Sequence, residues 1–206
     1  LAAHAIVDKA DSDGATPLIV ACELGRRDCV QLLLAAHAAV DQATSDGATP
    51  LYAACIKGHG DCAQQLLAAH AIVDQADSTG ATPLYAACAR DHGDCVQLLL
   101  AAHAAVDQAD SDGVTPLLAA CLKGDFGCVQ LLLAAHAAVD QADSNGATPL
   151  IVACGRGDGD CAQLLLAAHA AIDQANSKSV TPLLAACSKG DGSCVQLLLA
   201  AHAAVD

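Results

Sequence analysis

The 206-residue sequence contains no methionine and no tryptophan, and its aromatic side chains are two tyrosines and one phenylalanine. Yet 54% of the residues are hydrophobic, most of them alanine and leucine. Such a chain has few large side chains to anchor one irregular core, so it favours many small and similar contacts. The lack of methionine leads us to expect a processed chain or a piece of a longer one.

Basic residues are also scarce, with 9 against 23 acidic ones and a formal net charge of -14. Glu23 is the only glutamate, so the remaining acids are aspartates, which favour turns and helix caps. This charge argues against a broad surface for nucleic acid or for an anionic membrane. The sequence shows neither a signal peptide nor an uninterrupted apolar run of about 18 residues, so we expect no membrane span.

A period of 33 residues organises the chain. The tripeptide Thr-Pro-Leu begins at Thr16, Thr49, Thr82, Thr115, Thr148 and Thr181. The motif Leu-Leu-Ala-Ala-His recurs with the same spacing. Fixed periods of this size are typical of solenoids. We therefore predict one repeat domain over residues 1–206, in which residues 1–10 end a preceding repeat and six repeats follow at 11–43, 44–76, 77–109, 110–142, 143–175 and 176–206.

Each repeat predicts a turn and two short helices. Thr16 is a good N-cap, and Pro17 fits the first helical position, where its missing N–H costs nothing. The helix that follows ends at Gly25. A second helix at Arg27–Ala36 carries a broad apolar stripe. Neither helix can bury its apolar face alone, so neighbouring repeats must stack.

The segment Thr16–Asp41, TPLIVACELGRRDCVQLLLAAHAAVD, resembles the ankyrin repeat, and six copies keep its length and frame. The resemblance implies an all-α solenoid of stacked helix-turn-helix units with β-hairpin-like loops. The sequence departs from the family pattern in three ways. Histidine after Thr-Pro-Leu is replaced, histidine follows the second helix where the family has a left-handed glycine, and aspartate replaces the loop asparagine. The replaced positions after Thr-Pro-Leu are Ile19, Tyr52, Tyr85, Leu118, Ile151 and Leu184.

Twelve cysteines occur as six pairs, each separated by the turn between the two helices of a repeat, as at Cys22 and Cys29. Six disulfides would indicate a secreted protein. The alternative, which we favour, is that cysteine serves as a small buried hydrophobic residue. That interpretation predicts a reducing, cytoplasmic location.

The recurrence of cysteine with histidine raises the possibility of zinc. Structural zinc sites commonly place about two to four residues between paired cysteines, whereas six intervene here. The repeated histidine lies at the far end of the second helix, about 12 Å from the nearer cysteine at 1.5 Å per residue. A cysteine–histidine nucleophile fails for the same reason. We expect no metal, no cofactor and no enzymatic activity.

The repeats differ from one another mainly at the end of the first helix and in the turn that follows. In ankyrin repeats these positions line the concave groove that contacts protein partners, although relaxed surface drift would also produce variation. A basic column runs through them, which fits either an acidic partner or simple compensation of helix dipoles. The predicted partner-binding residues are Tyr52, Ile56, Lys57, Tyr85, Arg90, Leu122, Lys123, Phe126, Arg156 and Lys189.

The sequence therefore predicts a scaffold that binds a protein partner through the groove. The alternative is a structural rod that assembles head to tail. Both ends look uncapped, because the last repeat keeps the apolar residue types of the interior repeats. The similarity of residues 1–8 to residues 199–206 leads us to expect further repeats in the same chain rather than end-to-end stacking of separate molecules.

Overall fold

The computed structural model describes residues 6–201, which form twelve short α-helices and no β-strand. The all-α prediction is confirmed. The helices are α1 Pro17–Glu23, α2 Arg27–Ala35, α3 Pro50–Lys57, α4 Gly60–Ala68, α5 Pro83–Cys88, α6 Gly93–Ala101, α7 Pro116–Lys123, α8 Phe126–Ala134, α9 Pro149–Arg156, α10 Gly159–Ala167, α11 Pro182–Lys189 and α12 Gly192–Ala200. Among the described residues, no helix is long and apolar enough to span a membrane.

The chain divides into two compact units, Leu1–Ala105 with α1 to α6 and Val106–Asp206 with α7 to α12. Each repeat contributes one odd-numbered helix, called here a first helix, and one even-numbered helix, called a second helix. The boundary between the units falls close to the predicted boundary between the third and fourth repeats.

Every first helix begins at a proline that follows a threonine N-cap. The side-chain oxygen of Thr49 accepts a hydrogen bond of 3.1 Å from the backbone N–H of Tyr52, and Pro50 is the first helical residue. The same cap forms at Thr16, Thr82, Thr115, Thr148 and Thr181. Such a cap stabilises a helix by about 1 kcal/mol relative to alanine. The predicted helix starts are therefore confirmed.

The turn after each first helix requires a left-handed residue. Gly58 has φ 75° and caps α3, and glycine fills the equivalent position in every repeat but the third. There Asp91 adopts φ 65°, and α5 is the shortest of the first helices. A residue with a Cβ atom takes this conformation at greater cost than glycine.

Each second helix that is followed by a described histidine ends in a second left-handed residue. His70 has φ 63°, and the backbone N–H of Ala71 donates to the carbonyl of Leu66 at 3.0 Å, which closes the helix C-terminus. His37, His103, His136 and His169 adopt the same conformation, with φ between 61° and 65°. The left-handed conformation expected at these positions is therefore confirmed.

The loops between repeats hydrogen-bond to their neighbours along the stack. In the first unit the backbone N–H of Ser78 donates to the carbonyl of Asp46 at 2.7 Å, and the carboxylate of Asp41 accepts from Ile72 N–H at 2.9 Å. In the second unit Asp140 accepts from Ala171 N–H at 2.8 Å. The aspartate that replaces the expected loop asparagine therefore joins one repeat to the next.

The core of each unit consists of layers of leucine, alanine and cysteine between adjacent repeats. In the first unit α3 packs against both α1 and α5, while in the second unit α9 packs against both α7 and α11. Leu51, Ala54, Cys55, Leu66 and Leu84 are each 0% exposed. The small alanine and cysteine side chains fill the space between adjacent first helices.

The exposed left-handed histidines generate a stability prediction. Replacing His70 with glycine should raise the free energy of unfolding by roughly 0.5–1 kcal/mol, because the relief of left-handed strain exceeds the entropy cost of glycine. His70→Ala, the matched control, keeps the strain and should be neutral or destabilising. Urea denaturation of the three proteins measures this difference. A His70→Gly variant no more stable than His70→Ala would show that the position is not strained.

Candidate functional site

The first unit carries five of the predicted binding residues on and just after α3 and α5. Lys57, the last residue of α3, and Arg90, which follows α5, are both exposed. Tyr52, Ile56 and Tyr85 are only half-exposed. Because α3 and α5 pack side by side, the two cations lie at neighbouring helix ends.

Tyr52 is tied into the stack rather than presented to solvent. Its hydroxyl group donates a hydrogen bond to the carboxylate of Asp77, in the loop of the next repeat. That carboxylate also accepts hydrogen bonds from the N–H groups of Thr79 at 2.8 Å and Ala81 at 3.0 Å. Burial, with a smaller contribution from the charge of Asp77, raises the pKa of Tyr52 well above its usual value. The tyrosine therefore links α3 to the adjacent loop.

The second unit presents two large apolar side chains beside a cation. Leu122 is 48% exposed in the last turn of α7, and Phe126 is 45% exposed as the first residue of α8. Lys123 lies between them in the chain and is exposed. The positions equivalent to Phe126 in four other repeats are glycines, namely Gly60, Gly93, Gly159 and Gly192. The phenyl ring is therefore not required by the repeat architecture.

The basic column continues through Arg156 and Lys189, the exposed last residues of α9 and α11. Nη2 of Arg156 donates to the carbonyl of Lys123 at 3.2 Å, so the guanidinium caps the C-terminus of the preceding first helix. It also lies over Gly124, where an added Cβ would come within 3.3 Å of Nη2. This contact gives Arg156 a structural role of the kind expected from helix-dipole compensation.

Carboxylates accompany the cations of the second unit, which the sequence reasoning missed. Asp158 and Asp191 are N-caps whose side chains accept hydrogen bonds from the N–H groups of Cys161 at 3.0 Å and Cys194 at 2.9 Å. The latter bond, together with the Ser193 hydroxyl, lowers the pKa of Asp191. The sequence signal for these N-caps is an aspartate placed three residues before the second-helix cysteine. The second unit therefore presents alternating charges.

The comparable position in the first unit holds imidazoles instead. His59 and His92 precede α4 and α6 without capping them through their side chains. The ring of His59 lies over Gly25, and its Nε2 is 3.1 Å from the carbonyl oxygen of Glu23. The two units therefore differ in charge at equivalent positions, although their backbones repeat.

The stacked helix pairs correspond to a known family. A family model described as ankyrin repeats (3 copies) matches residues 1–77, 61–143 and 117–206. The chain belongs to the ankyrin repeat family. The crystal structure of the human ASB11 ankyrin repeat domain is similar, with 32% sequence identity and a TM-score of 0.84 over 93% of this chain and 86% of that one. No curated protein matches the chain in sequence.

Both units of the ankyrin-repeat chain contain an open, largely polar cavity beside the turns between their helices. The cavity in the second unit has a volume of about 890 Å³, and the predicted residues Lys123 and Arg156 line it together with Asp158 and Asp160. The cavity in the first unit, of about 730 Å³, is lined by other polar side chains, including Arg27, His59, Asp61 and Asp94.

The twelve cysteines of the ankyrin repeats are free thiols, and all except Cys29 and Cys187 are buried. The predicted role of cysteine as a core residue is confirmed at the ten buried positions. Cys29 and Cys187 belong to the first and last repeats, where one face of the helix pair has no neighbouring repeat in the described structure. The repeated histidines from His37 to His169 are exposed, so they occupy a different environment from the buried thiols.

Proposed function

We propose that the chain is a scaffold that binds a protein partner through a patch formed by Leu122, Lys123 and Phe126. Ankyrin repeats are in general protein-interaction modules without catalytic activity. The patch lies within the second unit, on the last turn of α7 and the first residue of α8. The predicted residues Arg156 and Lys189 of the same unit are proposed as surrounding contacts, and the predicted residues of the first unit remain proposed partner-binding residues of that unit.

One observation carries this proposal. In the described residues between the first and last repeats, the exposed large hydrophobic side chains are Ile72, Leu122 and Phe126. Two of these three therefore flank a single lysine in a variable part of the repeat. Binding energy at protein interfaces concentrates in a few aromatic and apolar anchors surrounded by polar groups, and this patch has that composition.

The cations around the patch indicate the chemistry of the partner. Lys123 and Lys189 are exposed, and Arg156 occupies the equivalent position in the repeat between theirs. We propose that a partner places carboxylates against this row and an apolar side chain against Phe126. The row would steer association and fix orientation more than it would add affinity. The free thiols support a reducing, cytoplasmic setting for the complex.

The partner-binding proposal is tested by Phe126→Gly, a change that reproduces the residue of four other repeats and should leave the fold intact. A partner captured by the wild-type protein and then purified should bind this variant more weakly by at least tenfold, because an anchor residue contributes about 2 kcal/mol or more. Isothermal titration calorimetry measures the affinity.

The matched control is Ile72→Ala, which removes an exposed apolar side chain from a loop in the first unit. It should leave binding unchanged.

Lys123→Ala combined with Lys189→Ala should slow association and weaken its salt dependence. Equal affinity of the wild-type protein and Phe126→Gly for a purified partner would remove the patch from the binding site.

A second candidate function is head-to-tail assembly, which the exposed faces of the end repeats favour. On the α1–α2 face, Val20 is 41% and Leu32 is 71% exposed around an apolar cavity of about 710 Å³. On the α11–α12 face, Leu184 is 50% and Leu199 is 46% exposed. The residue equivalent to Leu184 in the preceding repeat, Ile151, is only 6% exposed.

These two faces are equivalent to surfaces that contact each other between adjacent repeats inside each unit. We therefore propose that the α11–α12 face of one molecule can dock on the α1–α2 face of another. Such a contact joins different surfaces and does not close on itself, so it would extend into filaments. Assembly and partner binding use different parts of the molecule and can be tested separately.

The assembly proposal predicts that molar mass rises with protein concentration in light scattering. Replacing Leu184 and Leu199 together with aspartate should hold the protein monomeric, because charge is buried at great cost in an apolar contact. Ile72→Asp is the control and should assemble like the wild-type protein. A wild-type protein that stays monomeric at high concentration contradicts self-assembly.

A further inference from the structure

The second helices of adjacent repeats pack side by side and leave grooves between them on the surface. In the first unit α2 packs against α4 and α4 against α6, and in the second unit α10 packs against α12. These grooves differ in the residue that begins the earlier helix, which is Arg27 in α2, Gly60 in α4 and Gly159 in α10. The three grooves can therefore be compared within one chain.

The α2–α4 groove is bridged by a side chain of the protein itself. Nη1 of Arg27 lies 3.6 Å from Oδ2 of Asp61, in the first turn of α4. Both side chains are largely exposed, at 64% and 71%, so the contact is an ion pair in solvent. A basic side chain at this groove therefore reaches the aspartate of the following second helix.

The α4–α6 groove has the aspartate but lacks the basic side chain. Asp94 occupies in α6 the position that Asp61 occupies in α4, and Gly60 stands at the position of Arg27. A Cβ atom added at Gly60 would lie 3.7 Å from Cβ of Asp94 and 3.7 Å from Cδ1 of Leu98. A side chain at position 60 would therefore occupy the groove beside Asp94, and glycine leaves that space open.

The open space is lined for a long basic side chain. The cavity there has a volume of about 730 Å³, within the usual range of ligand-binding clefts. Asp61 and Asp94 contribute two carboxylates to it, whereas Arg27 contributes one guanidinium and already pairs with Asp61. Leu98 and Ala101 add apolar surface, along which the alkyl stem of a basic side chain can pack.

The second unit contains the same kind of groove without this aspartate. The cavity between α10 and α12 is lined at equivalent positions three repeats further along the chain, with Gly159 and Leu197 as the counterparts of Gly60 and Leu98. Ser193 stands there in place of the aspartate. The α10–α12 groove is therefore a matched control, open at the same glycine but without a carboxylate opposite it.

We propose that the α4–α6 groove binds an arginine side chain from a basic segment of a partner protein. The guanidinium contacts the carboxylate of Asp94, as that of Arg27 contacts Asp61 one repeat earlier, and the alkyl stem lies along Leu98. Arginine suits the site better than lysine, because its planar fork can donate two hydrogen bonds to one carboxylate. The site belongs to the first unit, whereas the proposed patch of Leu122, Lys123 and Phe126 belongs to the second.

The charge of the whole chain supports a basic partner on this face. A net charge of -14 attracts cationic segments and accelerates their encounter with the protein. Because an exposed charge pair contributes little on its own, one arginine side chain should bind with a Kd on the order of millimolar. Further basic residues in the same segment would strengthen binding by raising the effective concentration of the arginine.

The probe for this site is the peptide acetyl-Gly-Arg-Gly-amide, and saturation-transfer NMR follows its arginine protons. The wild-type protein should bind it saturably at low ionic strength and more weakly as salt is added. The matching citrulline peptide has a similar shape but no charge, and it should bind about fivefold more weakly or less. Asp94→Ser, which gives the sixth α6-equivalent helix's residue, should weaken binding of the arginine peptide to a similar extent.

Gly60→Arg supplies the occupant from within the chain, as Arg27 does one repeat earlier. It should abolish binding of the peptide and raise the urea midpoint of unfolding, and part of that increase should disappear when Asp94→Ser is added. Gly159→Arg, in the groove without the aspartate, should leave peptide binding unchanged. No saturable binding by the wild-type protein, equal binding of the citrulline peptide, or binding that survives Gly60→Arg would overturn the proposal.

Discussion

The interface between adjacent repeats is the interaction on which the rest of the structure depends. Helices of six to nine residues are too short to be stable alone in water. Each helix pair gains stability only by burying its leucine, alanine and cysteine side chains against the next pair. The loop carboxylates, such as Asp41 on Ile72 N–H, add a polar bond to the same interface. Because the same interface recurs between repeats, it restricts the residue type at most positions of each repeat.

The fixed interface explains where binding residues can reside. Buried cap threonines and core cysteines cannot change without loss of stacking, whereas the exposed positions at the end of a first helix and at the start of the second helix can. There the fourth repeat carries Leu122 and Phe126, which contribute nothing evident to the core and remain exposed. The cations around them have mixed roles, since Arg156 caps the neighbouring helix through the Lys123 carbonyl. The scaffold thus allows a repeat-specific patch without altering the architecture.

Features encoded within one repeat could be predicted from the sequence, and features that depend on the neighbouring repeat could not. The threonine caps, the helix-ending glycines and the left-handed histidines follow from local residue chemistry and were predicted. The interaction between Tyr52 and Asp77 arises from stacking. Spacing along the chain does not reveal which side chains of neighbouring repeats meet. Exposure likewise favours Phe126 over the half-buried Tyr52 as an anchor.

Hydrogen exchange of the folded monomer, resolved on peptides from each repeat, tests the dependence on stacking most directly. If stability comes from interfaces, the amides of α3 and α4, with a neighbouring repeat on each side in the first unit, should exchange more slowly than those of α1 and α2. The amides of α9 and α10 should likewise be better protected than those of α11 and α12. Equal protection in all these helices would show instead that the helix pairs are stable without their neighbours, or that the chain opens only as a whole, and would contradict the account.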